Sequence, residues 1–165
     1  MIIAIFAGTG KTTIAKLHPQ IAIDFVSMPY KYELESNGNF EIESCKANPD
    51  HIMRIEWPYN YVKAIKHINK NDNLILIPTD LHVLMLLQKE KIPYLICYPE
   101  RCAKKVYHRR FLKRGNTREF INIFIGRWDN FISRFEDDDY GQHIVLQSDQ
   151  FLSDIPAVIL KKENL

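Results

Sequence analysis

The residues best placed to do chemistry stand near the start of the chain, in Ala7, Gly8, Thr9, Gly10, Lys11, Thr12 and Thr13. A short apolar run, Ile2 to Phe6, precedes them, and Ile14, Ala15 and Lys16 follow. A strand, a glycine-rich turn and a helix start form the setting of a phosphate-binding loop. Small residues let backbone N–H groups close around phosphate oxygens. Lys11 would reach β- and γ-phosphates, the Thr12 hydroxyl would ligate Mg²⁺, and the helix N-terminus favours negative charge. The full pattern G-x-x-x-x-G-K-[ST] places a further glycine where this chain has Ile5. The residues that touch phosphate are all present.

A transferring phosphoryl group needs positive charge opposite it. The basic residues Arg101, Lys104, Lys105, Arg109, Arg110, Lys113, Arg114 and Arg118 fall close together, with no Glu among them. Arg110 and Arg114, four apart, share a helical face, and guanidinium forks bind phosphate oxygens bidentately. The same stripe can equally be a solvated basic face. Asp80 follows an apolar run, where a carboxylate can hold Mg²⁺ or cap the helix beginning at Leu81. Asp24 ends another apolar run and can orient a substrate, serve Mg²⁺ or cap a turn. Trp57-Pro58-Tyr59-Asn60-Tyr61, with Tyr30 and Tyr32, offers flat aromatic surface and an amide for a nucleobase, or aromatic packing beneath a polar insertion.

These residues need a scaffold. Apolar runs at Ile2–Phe6, Gln20–Val26, Leu74–Ile77, Ile92–Tyr98 and His143–Gln147 read as strands. Helical patterns fall at Lys11–Leu17, Asn60–Lys70, Leu81–Lys91 and Pro99–Arg114. A further pattern begins behind a Thr117 cap and keeps helical spacing through Phe120, Phe124, Trp128 and Phe135. Phe151 to Ile155 reads as a final turn. Strands alternating with helices, each strand nearly all apolar, predict a parallel sheet with helices on both faces. In such sheets ligands lie beyond the carboxyl ends of the strands, where the loop, Asp24, Ser27, Asp80 and Tyr98 would meet. Met28 to Trp57 is polar, with turns expected at Asn37-Gly38-Asn39 and Asn48-Pro49-Asp50.

The 165 residues predict one domain. A hydrophobic content of 46% and a net charge of +2 describe an ordinary globular chain, too mildly basic to argue for nucleic acid or membrane by itself. Cys45, Cys97 and Cys102 show neither metal nor paired spacing, which fits a reducing cytoplasm. The six histidines have no ligand spacing.

Taken together, FAGTGKTT (Phe6–Thr13), IDFVS (Ile23–Ser27), WPYNY (Trp57–Tyr61), LILIPTD (Leu74–Asp80), YPE (Tyr98–Glu100) and YHRRFLKRGN (Tyr107–Asn116) resemble the P-loop nucleoside monophosphate kinases. The likeness is nearer to the small adenylate-kinase-like nucleotide kinases of bacteriophages. It implies a three-layer α/β P-loop NTPase fold, with a five-stranded parallel sheet in the order 2-3-1-4-5. It implies a monophosphate-binding insertion at about 28–68 and a short basic lid at about 101–118 without zinc. It also implies Mg²⁺-dependent transfer from ATP to a nucleoside or deoxynucleoside monophosphate in the cytoplasm, the host's if the chain is phage-encoded. Lys11, Arg110 and Arg114 would be catalytic. Asp24, Ser27, Tyr30, Tyr59, Asn60, Arg109 and Arg118 would bind substrate, and Thr12 and Asp80 the metal. No stable nucleic-acid complex or membrane attachment is expected. A kinase of a hydroxyl acceptor, such as a polynucleotide 5′-end or a small metabolite, and a non-catalytic nucleotide-binding module are the alternatives.

Overall fold

A computed structural model describes residues 1–33, 52–68 and 73–155. The expected turns at 37–39 and 48–50, and Cys45, lie outside the described residues. The first strand, β1 (Ile2–Ile5), is buried along its whole length. Ile2, Ala4 and Phe6 face one side of the sheet and Ile3 and Ile5 the other. That two-sided burial is why the run is continuously apolar and not alternating.

The chain continues through α1 (Lys11–Leu17), β2 (Ala22–Asp24), α2 (Met28–Lys31), α3 (Tyr59–Ile68), β3 (Leu74–Pro78), α4 (Leu81–Lys89) and β4 (Leu95–Pro99). A 3₁₀ turn at Arg101–Ala103 leads into α5 (Lys104–Lys113), then α6 (Arg118–Gly126), α7 (Trp128–Glu136) and β5 (Gln142–Leu146). The five strands are all parallel, in the order β2-β3-β1-β4-β5. This is the expected α/β architecture and strand order. One face carries residues of α3 to α7, including Tyr61, Leu84, Tyr107, Ile121 and Ile132. The other carries Ile14 of α1 and Leu152 of a closing 3₁₀ turn, Leu152–Asp154. No helix among the described residues is long and apolar enough to cross a membrane.

Several boundaries differ from the sequence reading: the fourth strand begins at Leu95 and not Ile92, and the basic helix begins at Lys104, after the 3₁₀ turn. The second strand keeps only Ala22–Asp24, because Pro19 to Ile21 form a turn before it and the ladder ends with the bond from Phe25 N to Leu76 O. The fifth strand begins one residue earlier, at Gln142. The single helix expected from Thr117 to Phe135 is two. Its Thr117 cap is present, accepting from Phe120 N at 3.2 Å. The break falls at Gly126–Arg127, where glycine weakens the helical preference. Beyond it, Trp128 is fully buried and its Nε1 donates to Arg101 O at 2.9 Å.

Phe6 is the hub of this face. Its ring stands 5.5 Å from Phe124, 5.6 Å from Trp128 and 5.8 Å from both Phe131 and Phe135, mostly edge to face. Edge-to-face contacts add to plain area burial. They fix the last residue before the glycine-rich loop.

Candidate functional site

The loop from Phe6 to Gly10 crosses the carboxyl edge of the sheet at its centre. Phe6 N donates to Cys97 O at 2.9 Å, so β4 holds the loop's first residue. Thr9 is fully buried; its hydroxyl donates to Phe6 O at 2.7 Å and its carbonyl accepts from Leu152 N at 2.9 Å. Gly8 and Gly10 take φ of 84° and 107°, the left-handed region that other residues avoid. Gly8 lies against Phe111 and Tyr107 of α5, and Gly10 against Phe151. α1 opens at Lys11, so the amides of its first turn, Lys11 to Thr13, have no acceptor within the helix.

From that turn two side chains reach the same carboxylate. Lys11 Nζ is 2.6 Å from Asp24 Oδ1, and Thr12 Oγ1 donates to Asp24 Oδ2 at 2.9 Å. Asp24 is the last residue of β2, the strand at one edge of the sheet. Asp80 is differently employed. Its Oδ1 accepts from His82 N at 3.0 Å and caps α4, while its Oδ2 is 2.7 Å from Lys31 Nζ. Both readings of Asp80 started from its place after β3. The cap is present, and the other carboxylate oxygen meets a lysine. The hydroxyl of buried Tyr61 donates to Phe25 O at 2.5 Å. Burial pushes that phenol's pKa up, and the charges of Asp24, then Asp80, add to the shift. Asp24 ends β2 and Asp80 follows β3, its neighbour in the sheet, so the two aspartates stand at one edge.

The aromatic segment divides. Trp57 and Tyr61 are buried, and Tyr61 stacks on Phe25 at 4.9 Å, so these two are core. Tyr59 is 59% exposed on the first turn of α3. The amide of Asn60 donates to Tyr30 O at 2.7 Å, and Tyr30 packs its ring on Phe25 and Tyr61. Ser27 is buried, and its carbonyl accepts from the amides of Tyr30 and Lys31. Asn60 and Ser27 thus build the wall that carries α2.

Arg110 is brought to the loop, but its guanidinium is occupied. It lies 4.0 Å from the Phe151 ring and 4.7 Å from the Tyr107 ring, and donates to Ser148 O at 3.0 Å and Gln150 O at 3.3 Å. Glu100 closes the same turn, accepting from Ser148 N at 2.8 Å and Ser148 Oγ at 2.7 Å. The Ser148 hydroxyl bond holds the Glu100 carboxyl below its usual range. Arg109, Arg114 and Arg118 are exposed around the end of α5, with no ion pair among the described residues.

Sequence reasoning missed two contributors, Lys31 and the strap of Ser148 to Leu152. Lys31 sits between two tyrosines in a polar stretch, and nothing local marks it. The strap meets the loop only through the tertiary fold.

Among the described residues no group of three or more His, Cys, Asp or Glu side chains could hold a metal. The Thr12 hydroxyl and Asp24 carboxylate are nevertheless hard oxygen donors, 2.9 Å apart. That pair fits Mg²⁺, which keeps several waters and takes other ligands from substrate phosphates. No protein-family model and no curated protein matches this chain.

Proposed function

We propose that this protein is a P-loop kinase transferring the γ-phosphoryl group of ATP to a nucleoside or deoxynucleoside monophosphate. The observation that carries the reading is the convergence of Lys11 and Thr12 on Asp24 at the carboxyl edge of a 2-3-1-4-5 sheet. The loop amides and Lys11 would bind the β- and γ-phosphates. Thr12 would ligate Mg²⁺ with Asp24 behind it, and the ion would neutralise charge on the phosphates. Arg114, with Arg109 and Arg118 beside it, would supply the cation opposite the moving group as the basic segment closes. Arg110 would act from behind, keeping the strap and loop in register. An acceptor phosphate oxygen is already ionised, so no general base is required. Closure would exclude water and suppress hydrolysis of ATP.

The test is ADP release with Mg-ATP against a panel of ribo- and deoxyribonucleoside monophosphates. Strong stimulation by one or a few of them is expected, and it would name the base. A flat panel, with ATP bound, would leave a hydroxyl-acceptor kinase or a non-catalytic module.

Asp24 gives a second check. As a carboxylate behind the metal, its Asp24→Asn variant should lose about 10–100-fold in kcat, the range seen when a metal's supporting carboxylate is removed. Raising Mg²⁺ should recover part of that loss. A loss that no Mg²⁺ concentration relieves would make Asp24 a general base and the acceptor a hydroxyl.

A further inference from the structure

Two lysine–aspartate pairs stand beside each other at the carboxyl edge of the sheet, and the reading above uses only one. The other joins Lys31, the last residue of α2, to Asp80 after β3 at 2.7 Å. Both partners are largely withdrawn from water, with side chains 20% and 16% exposed. The ammonium also lies 5.2 Å from the Trp57 ring centre and 5.8 Å from that of Tyr32. Asp80 does not depend on Lys31, because its Oδ1 caps α4 through His82 N. Lys31 is the more dependent partner: a cation so placed needs an anion at all times.

We propose that Lys31 is the receptor for the acceptor's phosphate, held on Asp80 until that phosphate draws it off. The inference rests on the kinase reading and narrows it to a phosphomonoester acceptor. Lys11 belongs to the donor phosphates, so a second phosphate arriving at the same edge needs a second cation. Lys31 comes from the opposite side, on the segment between β2 and β3. A phosphomonoester dianion carries more charge than the carboxylate and offers three acceptor oxygens, so it competes well for one ammonium. Lysine suits an exchange of this kind. Its charge is compact and its stem flexible, whereas a guanidinium fork would be fixed to one planar partner. Asp80 left behind keeps its bond from His82 N.

Two substitutions separate exchange from simple bracing. Lys31→Met keeps length and loses charge. Asp80→Asn keeps a helix-capping side chain and releases Lys31. Binding is measured by calorimetry with the 5′-monophosphates of adenosine, guanosine, cytidine, uridine and thymidine, with each corresponding nucleoside, and with Mg-ADP. Lys31→Met should weaken the bound monophosphate about 30-fold, the scale of a charge-assisted hydrogen bond. It should leave nucleoside and Mg-ADP binding within about twofold, which also reports an intact fold. Asp80→Asn should tighten monophosphate binding about threefold, because no ion pair has to be broken. If the pair only braces α2, both substitutions weaken binding together, and that result overturns the proposal. Equal monophosphate affinity in wild type and Lys31→Met overturns it as well. A wild type that binds Mg-ADP but none of the monophosphates overturns the acceptor reading itself.

Discussion

Lys11→Met is expected to lower phosphoryl transfer about a thousandfold, the scale on which removing one well-placed donor or cation acts on migrating charge. Lys11 is the loop's own cation, and its ammonium already lies at the edge where Thr12 and Asp24 meet. On the proposed kinase reading the effect should fall on kcat more than on KM for ATP, because the loop amides would still bind the phosphates while the charge developing in transfer would lose its partner. The substitution also strands Asp24, whose bond from Thr12 remains. The Lys11 and Asp24 side chains are 23% and 20% exposed, so the stability cost is about 1 kcal/mol. Combining Lys11→Met with Asp24→Asn separates the two effects. The double variant should regain most of the lost stability and none of the activity. Rates are read by ADP release and stability by thermal unfolding. Turnover of Lys11→Met within tenfold of wild type would remove Lys11 from the mechanism.

How much of this could be read in advance depends on the distance over which each feature is encoded. The run Ile2–Phe6 and the loop after it are local. Strand, glycines and helix start stand in order along the chain, and the structure keeps that order. That Asp24 and Asp80 lie at the same edge as the loop followed from a general property of parallel sheets, whose strand ends share one edge; which of them meets Lys11 did not follow from it. Other features were not local. Arg110 reads as a free basic residue because its neighbours are Arg109 and Phe111. What it touches, Ser148, Gln150 and Phe151, lies about forty residues further on. Lys31 and Asp80 are separated by most of the segment between β2 and β3 and by β3 itself. The aromatic residues of WPYNY were ambiguous for another reason. Trp57, Tyr59 and Tyr61 have the same chemical character, and only their positions around the start of α3 decide which enters the core. Likewise the apolar spacing from Phe120 to Phe135 persists through the break at Arg127, so periodicity alone did not mark it.

Gly8→Ala should be the most damaging small substitution in the loop, and it tests whether α5 sets the loop's shape. At φ 84° an added Cβ carries about 1–2 kcal/mol of backbone strain. It would also lie 2.8 Å from Phe111 Cε1, and Phe111 is fully buried. Phe111 cannot move freely, because its ring packs edge-on against Phe120 at 5.2 Å and Phe124 at 6.0 Å. Overpacking at such a place costs about 1–3 kcal/mol more. The sum, about 3 kcal/mol, should lower Tm by about 10 °C in a chain of this size. Gly115→Ala isolates the backbone part, since Gly115 has φ 69° and nothing within 4 Å of an added Cβ. Its Tm should fall by only about 3–5 °C. In a Phe111→Leu background, which vacates the contested space, Gly8→Ala should cost little more than Gly115→Ala does. On the proposed function, Gly8→Ala should also lower ATP affinity, and the same background should restore part of that loss. Equal costs for Gly8→Ala and Gly115→Ala in the wild-type chain would mean that α5 does not press on the loop. Convergence only in the Phe111→Leu background would mean that the aromatic face of the sheet, from Phe6 through Phe111, holds the glycine-rich loop in its shape.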